Sequence, residues 1–255
     1  MLEVIFLGVG EAFDEALSNT SILIRYEGGD VHASFLLDCG FTAPPPFWNE
    51  ESDVNRLDGI WISHFHADHG FGIPALLVRF WEQGRDKGLI FMGQKGIESF
   101  TRKCLDLAYP GFYERLTFPL RFIELSPGNR KEILGVSFRA AETAHSQPAL
   151  ALRIDVAGKS IYYSGDGKPT PESMALARES ELIIHEAFHM ETEIPGHGTI
   201  TGSIDMAKRC NALLLALVHI QREVRGRAKN RIDELKEMSS PVRLIIPEPG
   251  YRLTM

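Results

Sequence analysis

The most constraining feature of the sequence is a short stretch, Ile62 to Gly70, in which three histidines and one aspartate fall within six consecutive positions. The apolar residues 59–62 before it predict a short buried strand, and residues 71–80 after it predict a helix. The cluster is therefore expected on a strand-to-helix loop, where the fold must accommodate several imidazoles beside a carboxylate.

The four side chains of this cluster are expected to serve two metal centres. Alternation along an extended chain points His64 and His66 to the same side, whereas Asp68 and His69 turn with the loop. One ion cannot bind all four at tetrahedral angles, but two ions can. Imidazole nitrogens with a carboxylate oxygen suit zinc, and also iron or manganese. The competing interpretation, a His-rich surface loop that binds metal adventitiously, fits the flanking strand and helix poorly.

The composition is that of an ordinary globular protein, with 44% hydrophobic and 24% charged residues. A length of 255 residues is enough for one substantial core, so a single domain over residues 1–255 is predicted. The formal net charge of -7 disfavours wholesale wrapping of nucleic acid, because nonspecific affinity there comes from Lys and Arg on the phosphates.

Three cysteines, Cys39, Cys104 and Cys210, cannot all pair within the chain and lack CxxC spacing. This pattern predicts a reduced, cytoplasmic protein. The first residues lack a basic leader and meet Gly8 early, which favours a first strand over a signal peptide. No apolar run approaches the length that spans a bilayer, so membrane insertion is not expected.

An HxHxDH motif after a short apolar strand is the signature of the metallo-β-lactamase superfamily, which this sequence resembles from one end to the other. Further motifs follow in the order of its ribonuclease Z branch, which includes small phosphodiesterases. They are Gly8-Val9-Gly10, Asp38-Cys39-Gly40, Thr143-Ala144-His145, Ser164-Gly165-Asp166, His185-Glu186-Ala187, Gly196-His197-Gly198-Thr199 and Leu217-Val218-His219. The resemblance implies an α/β fold, the four-layer αβ/βα sandwich of that superfamily, with two mixed sheets covered outside by helices.

The resemblance also implies two divalent metal ions, with zinc expected first and manganese or iron as alternatives. The implied ligands are His64, His66, His145 and Asp166 for the first ion, and Asp68, His69, His219 and the same Asp166 for the second. In this family the aspartate at position 38 hydrogen-bonds a ligand histidine and fixes its tautomer. A plain turn-forming aspartate is the competing interpretation of Asp38.

Three residues are predicted to act in catalysis: His197, Glu186 and Asp68. The family pairs a carboxylate with the second histidine, so Glu186 is expected to orient His197, which then protonates the departing alkoxide. A carboxylate partner favours the imidazolium form that an acid needs. For His185, a purely structural role competes with a functional one.

The interval between His145 and Asp166 indicates the subclass. In the tRNA-processing relatives a long arm inserted there grips the tRNA, and 21 residues leave no room for it. The predicted function is a phosphodiesterase for a small anionic substrate, either a small or cyclic phosphodiester or a short nucleic acid end; a long tRNA substrate is not expected. A thioester, lactone or sulfate ester hydrolase and a weakly catalytic metal-binding regulatory domain are the alternatives. A homodimer is expected only by analogy with relatives.

Four other segments carry local expectations. The three-proline segment Pro44 to Trp48 is predicted as a stiff loop whose aromatics pack or stack on a base, and residues 131–139 are predicted as one strand. The charges between residues 79 and 87, Arg79, Arg85 and Lys87, are expected on a solvated connector. The basic run Arg222 to Arg231 is expected either to attract an anionic substrate or to form a solvated helix face.

Overall fold

A computed structural model describes residues 1–255 and contains fourteen strands and eight α-helices. The strands are β1 Leu2–Gly8, β2 Ser21–Gly28, β3 Val31–Leu37, β4 Gly59–Ile62, β5 Leu89–Gly93, β6 Leu120–Glu124, β7 Arg130–Ile133, β8 Val136–Glu142, β9 Leu150–Val156, β10 Lys159–Tyr163, β11 Leu182–Glu186, β12 Leu214–Val218, β13 Arg243–Ile245 and β14 Tyr251–Thr254. The helices are α1 Pro44–Glu50, α2 Ala67–Gly70, α3 Ile73–Glu82, α4 Ile97–Ala108, α5 Pro171–Ala177, α6 Ile200–Arg209, α7 Arg222–Asn230 and α8 Ile232–Ser239.

The strands form two seven-stranded sheets, in the orders β14-β1-β2-β3-β4-β5-β6 and β13-β12-β11-β10-β9-β8-β7. Each sheet is antiparallel in one part and parallel in the other, with β3 to β6 parallel in the first and β10 to β13 parallel in the second. Two antiparallel steps separate β8 from β10, so these two strands also run in the same direction. Several carboxyl ends therefore meet at one edge, which is where α/β sheets bind ligands.

Apolar side chains fill three layers between the four layers of backbone. The inner core joins the facing sides of the two sheets, as where the Phe35 and Phe138 rings meet edge to face at a centroid distance of 4.9 Å. One outer core packs α1, α3 and α4 on the first sheet, and the other packs α6, α7 and α8 on the second. This is the predicted αβ/βα sandwich. None of the helices combines the length and the apolar character that a membrane crossing requires.

The prediction of a loop at Pro44 to Trp48 is wrong, because these residues begin helix α1. The three prolines occupy the first turn, where a helix has no internal acceptor for the backbone N–H that proline lacks. Of the two expected uses of the aromatics, packing is the one observed. Phe47 is buried against Phe80, and Arg79 lies 4.4 Å from the centroid of the Trp48 ring.

The single strand predicted for residues 131–139 is instead a hairpin of β7 and β8. Its two-residue turn is Leu134-Gly135, with φ values of 51° and 73°. Two positive φ values are what a tight hairpin turn of matching twist requires. The sequence gives little sign of this turn, because its first residue is leucine and a bulky residue seldom adopts a positive φ.

Arg85 is not part of a solvated connector, since it is almost completely buried. Its guanidinium donates to the carbonyl of Val54 and, at 2.8 Å each, to the carbonyls of Leu57 and Gly88. Burial lowers its pKa to about 10, which still leaves the group charged at neutral pH. The side chain thus satisfies three backbone acceptors that regular structure leaves unpaired.

The substitution Arg85→Met is expected to destabilise the protein by about 3 kcal/mol or more, because up to three backbone acceptors lose their donor. Urea unfolding followed by circular dichroism measures the change. Arg121→Met is the matched control, because Arg121 is exposed on β6 and makes no ion pair, and it should change stability by less than about 0.5 kcal/mol. Equal effects of both substitutions would contradict the structural role of Arg85.

Candidate metal centre

The predicted site residues lie at the carboxyl ends of strands that share one edge. Asp38 follows β3, His64 follows β4, His145 follows β8, Asp166 follows β10 and His219 follows β12. The predicted helix after the HxHxDH motif begins two residues late, at Ile73, because a separate single turn, α2, carries Asp68 and His69. That turn brings these two side chains together with Asp166 and His219, while the rings of His69 and His64 lie 4.2 Å apart.

The first group brings together three imidazoles from two loops. His64 Nε2 lies 3.0 Å from His66 Nδ1, and His145 Nε2 lies 3.1 Å from the same His66 nitrogen. Nitrogens that share a tetrahedral zinc ion lie roughly 3.3 Å apart, so the three ring nitrogens are arranged as ligands of one ion are. Burial lowers the pKa of His64 and His66, which favours the neutral form that binds metal.

The second group consists of Asp68, His69, Asp166 and His219, all of them buried. His219 Nε2 lies 3.2 Å from Asp68 Oδ2 and 3.5 Å from Asp166 Oδ2. His69 Nε2 lies 3.3 Å from Asp68 and 3.4 Å from Asp166 Oδ1. Burial alone would lower the pKa of His219, but the charges of Asp166 and Asp68 raise it to about 9, so the field at this position favours a cation.

Asp166 lies between the two groups. It contacts His69 and His219 of the second group, and it also clusters with His145 of the first. Burial opposes ionisation, but His219 and His69 outweigh it and hold the pKa of Asp166 well below its ordinary value. The side chain is thus an ionised carboxylate with one oxygen near each of two histidines.

Hydrogen bonds behind the cluster select which nitrogen of each histidine faces it. Asp38 Oδ2 accepts from His69 Nδ1 at 2.7 Å, which leaves His69 Nε2 free. The hydroxyl of Ser63 donates to Asp38 at 2.8 Å and lies 3.0 Å from His64 Nδ1, which fixes the tautomer of His64 in the same way. The hydroxyl of Tyr163 also donates to Asp38, at 2.6 Å. The predicted contact between Asp38 and a site histidine is therefore present.

His145 is oriented by a different part of the chain. Its Nδ1 donates to the carbonyl of Gly196 at 2.6 Å, so its Nε2 is free to face His66. Gly196 lies on the loop that also carries His197. Sequence reasoning missed Ser63, Tyr163 and Gly196; the inward position of Tyr163 on β10 was the one available signal, since alternation places it on the same face as Ile161.

These residues suit a pair of metal ions for two reasons: the chemical type of their donor atoms, and the lack of hydrogen-bond partners for some of those atoms. His69 Nε2 and Asp166 Oδ1 are buried and have no hydrogen-bond partner. Unpaired polar atoms in such positions are costly unless something satisfies them. Divalent cations in both groups would satisfy these atoms and offset the carboxylate charge, and the nitrogen and oxygen donors suit zinc, manganese or iron.

Glu186 and His197 form a pair beside the second group. Glu186 accepts from the backbone N–H groups of Gly198 at 2.6 Å, Gly167 at 3.1 Å and Phe188 at 3.1 Å. His197 Nδ1 lies 3.5 Å from Glu186 Oε1, and 22% of the His197 side chain is exposed. Burial lowers the pKa of His197, but Glu186 and Asp166 together raise it above the ordinary value. An imidazolium with a route to solvent is the state that an acid catalyst needs.

Of the two roles considered for His185, structural and functional, the contacts observed are those of a structural residue. It is buried, its Nδ1 donates to the carbonyl of Glu186 at 2.6 Å, and the hydroxyl of Ser203 lies 3.3 Å away. Burial lowers its pKa, so the ring is neutral. His185 thus supports the loop of Glu186 from behind.

The basic run Arg222 to Arg231 forms helix α7 and the residue that follows it, and acidic side chains pair with most of its charges. The pairs are Arg222 with Glu11, Arg225 and Lys229 with Glu248, and Arg231 with Glu234. Arg227 makes no ion pair. A run that is largely neutralised attracts an anion much less than five free cations would.

Comparison with known proteins supports the resemblance. A model of the family described as "Anti-Pycsar protein Apyc1" matches residues 2–232. Ribonuclease Z of Methanosarcina mazei is 26% identical over an alignment of 275 positions, gaps included, which covers 86% of this chain and 88% of that protein. The similarity to the ribonuclease Z branch of the metallo-β-lactamase superfamily is therefore confirmed.

Two solved structures have the same fold over almost their whole length. The metallo-β-lactamase fold protein YhfI of Bacillus subtilis superposes with a TM-score of 0.79 at 21% identity, covering all of both chains. The short form of human tRNase Z superposes with a TM-score of 0.79 at 22% identity, covering 99% of this chain and 98% of that one. The predicted fold class is confirmed.

Zinc or manganese at about 100 times its dissociation constant is expected to stabilise the folded protein by about 2.7 kcal/mol. For a chain of this size that raises Tm by roughly 5 to 10 °C, measured by thermal denaturation of metal-stripped protein. Asp166→Asn should remove most of the increase. Asp233→Asn, whose side chain is 97% exposed, is the control and should keep it. An undiminished increase in the Asp166 variant would contradict a cation at this position.

Proposed function

This chain belongs to the Anti-Pycsar protein Apyc1 family, and from that membership and the site geometry we propose that it is a metal-dependent phosphodiesterase that hydrolyses a small, cyclic or short nucleotide phosphodiester. The name of the Methanosarcina mazei relative, ribonuclease Z, refers to cleavage of RNA, whose linkages are phosphodiesters. The proposal extends that type of bond cleavage to a substrate of smaller size.

One observation carries the proposal: an ionised carboxylate, Asp166, lies between two groups of histidines and 4.0 Å from His197 Nδ1. A shared carboxylate between two ion positions is the arrangement of two-metal hydrolases. The nearby imidazolium supplies the proton that a poor leaving group needs. Both requirements of phosphodiester hydrolysis are thus met within one cluster.

We assign His64, His66, His145 and Asp166 to one ion and Asp68, His69, His219 and Asp166 to the other. Zinc is the first expectation, with manganese or iron as alternatives. The chemistry supplied by such a pair, when bound, is activation of water and neutralisation of the charge that develops at phosphorus. Asp38, Ser63 and Gly196 hold three of the histidines in the tautomer that this role needs.

His197 is assigned the role of general acid. Glu186 accepts three backbone N–H groups and is therefore fixed in position, so it orients the imidazole and stabilises its charged form. The proton moves from His197 to the oxygen that leaves phosphorus. An alkoxide needs that proton, whereas the thiolate released from a thioester does not, so the Glu186–His197 pair favours the phosphodiester over the thioester alternative.

The size of the substrate is inferred from the interval between His145 and Asp166. Strands β9 and β10 and their tight turn at Ala157-Gly158 occupy this interval, and no arm projects from it. A small anionic substrate is therefore preferred to a long tRNA.

The single domain and the homodimer remain predictions. The cytoplasmic location is proposed because all three cysteines are free.

The experiment that tests the function combines metal analysis of the purified protein with a panel of bis-p-nitrophenyl phosphate, cyclic nucleotides, precursor tRNA and thioesters. Turnover of the first two classes with about two ions per chain is expected. Asp68→Ala should abolish turnover. Efficient precursor-tRNA trimming would contradict the inference from the missing arm, and thioester turnover alone would contradict the phosphodiesterase assignment.

The role of His197 predicts a dependence on the leaving group. His197→Gln should lower kcat for a cyclic nucleotide, which releases an alkoxide, by roughly 10² to 10⁴. The same substitution should cost far less with bis-p-nitrophenyl phosphate, because p-nitrophenolate leaves without a proton. His189→Gln is the matched control, since His189 lies on the same loop but outside the clusters of site residues. An equal loss on both substrates would contradict the assignment of His197 as the acid.

A further inference from the structure

A polar cleft opens beside His197. Its volume is about 320 Å³, within the range of small-molecule sites. Its lining includes Lys168, Glu193, His197, Thr199, Asp205 and Arg209. His197, the assigned acid, is the one residue of the proposed catalytic and metal-binding set in this lining. We therefore expect the group attached to the protonated oxygen to extend into the cleft, which we call the leaving-group cleft.

The backbone of Lys168, a residue of the cleft lining, is held by the segment that carries His145. Lys168 and Ala144 exchange two backbone hydrogen bonds of 3.0 Å each, next to His145. The preceding residue, Gly167, has a φ of 118°, and a Cβ there would lie 2.7 Å from Thr143 Oγ1. The Gly-Lys sequence places a long cation two residues from Asp166.

The side chain of Lys168 has only a weakly held partner. Its Nζ lies 2.6 Å from Glu193 Oε2, and the Glu193 side chain is 78% exposed. An ion pair with a solvated carboxylate contributes little to stability, so a bound ligand can replace Glu193 at low cost. The other cation of the cleft, Arg209, is 67% exposed and paired with Asp205 at 3.4 Å. Lys168, whose side chain is 30% exposed, is thus the more buried of the two cations that line the cleft.

We propose that the leaving-group cleft binds the nucleoside portion of the substrate and that Lys168 is a specificity-determining residue that donates a hydrogen bond to it. This inference rests on the proposed phosphodiesterase function. The cleft lining is mostly polar, with Met174 and Met206 as its apolar residues, which suits a sugar and a base better than a hydrocarbon. Without substrate, Lys168 forms its ion pair with Glu193; bound substrate replaces Glu193.

The test compares KM and kcat on two substrates, 3′,5′-cyclic AMP and bis-p-nitrophenyl phosphate, which lacks sugar and base. Lys168→Met is expected to raise KM for cyclic AMP about tenfold more than KM for bis-p-nitrophenyl phosphate, because a charge-assisted hydrogen bond is lost. Glu193→Gln is expected to lower KM for cyclic AMP, because it releases Lys168. If Lys168 contacts the substrate, the two variants must change KM for cyclic AMP in opposite directions.

The matched control is a second Lys–Glu pair, Lys159 with Glu181, at the other end of β10. Lys159→Met and Glu181→Gln should leave both KM values within about twofold. If Lys168→Met and Glu193→Gln instead lower kcat alike on both substrates, the pair merely tethers the His197 loop and the inference fails. Turnover of bis-p-nitrophenyl phosphate without turnover of cyclic AMP also overturns it. No turnover of either substrate with zinc or manganese overturns the proposed function itself.

Discussion

The carboxylate of Asp38 connects the two sheets at the site and orients two of its histidines, His69 directly and His64 through Ser63. It accepts from Ser63 and His69 of the first half of the chain and from Tyr163 of the second. Burial and Asp38 together hold the pKa of Tyr163 well above its ordinary value, so the phenol remains a donor. A buried carboxylate with four donors is satisfied as an anion, and its position then helps to determine where the imidazoles of His69 and His64 lie.

The clustering of the histidines and carboxylates could be predicted from the sequence more fully than the residues that orient them, because the two are encoded differently. The HxHxDH spacing specifies a local geometry: alternation along the strand end and one helical turn bring His64, His66 and His69 to their places. His145, Asp166 and His219 each follow an apolar strand, and parallel directions bring such positions to one edge. The resemblance to a known family supplied the order of these motifs, which periodicity alone does not give.

What the sequence did not predict depends on tertiary context. Three prolines favour a loop or a first helical turn equally, and burial of Phe47 selects the helix. A lysine or arginine between elements is usually solvated, and only the fold shows that three carbonyls converge on Arg85. The charges of α7 were predicted, but their acidic partners at positions 11 and 248 are far away in the sequence.

The site draws its side chains from widely separated parts of the chain, from Asp38 to His219, and both sheets contribute. During synthesis, the three imidazoles of the HxHxDH loop leave the ribosome long before His219 does. An early ion would therefore meet an incomplete set of donors, with open positions that water or a chelator can take. The second of the two proposed ions would gain His219 as a ligand only once β12 pairs with β11, so its full coordination would follow assembly of the second sheet.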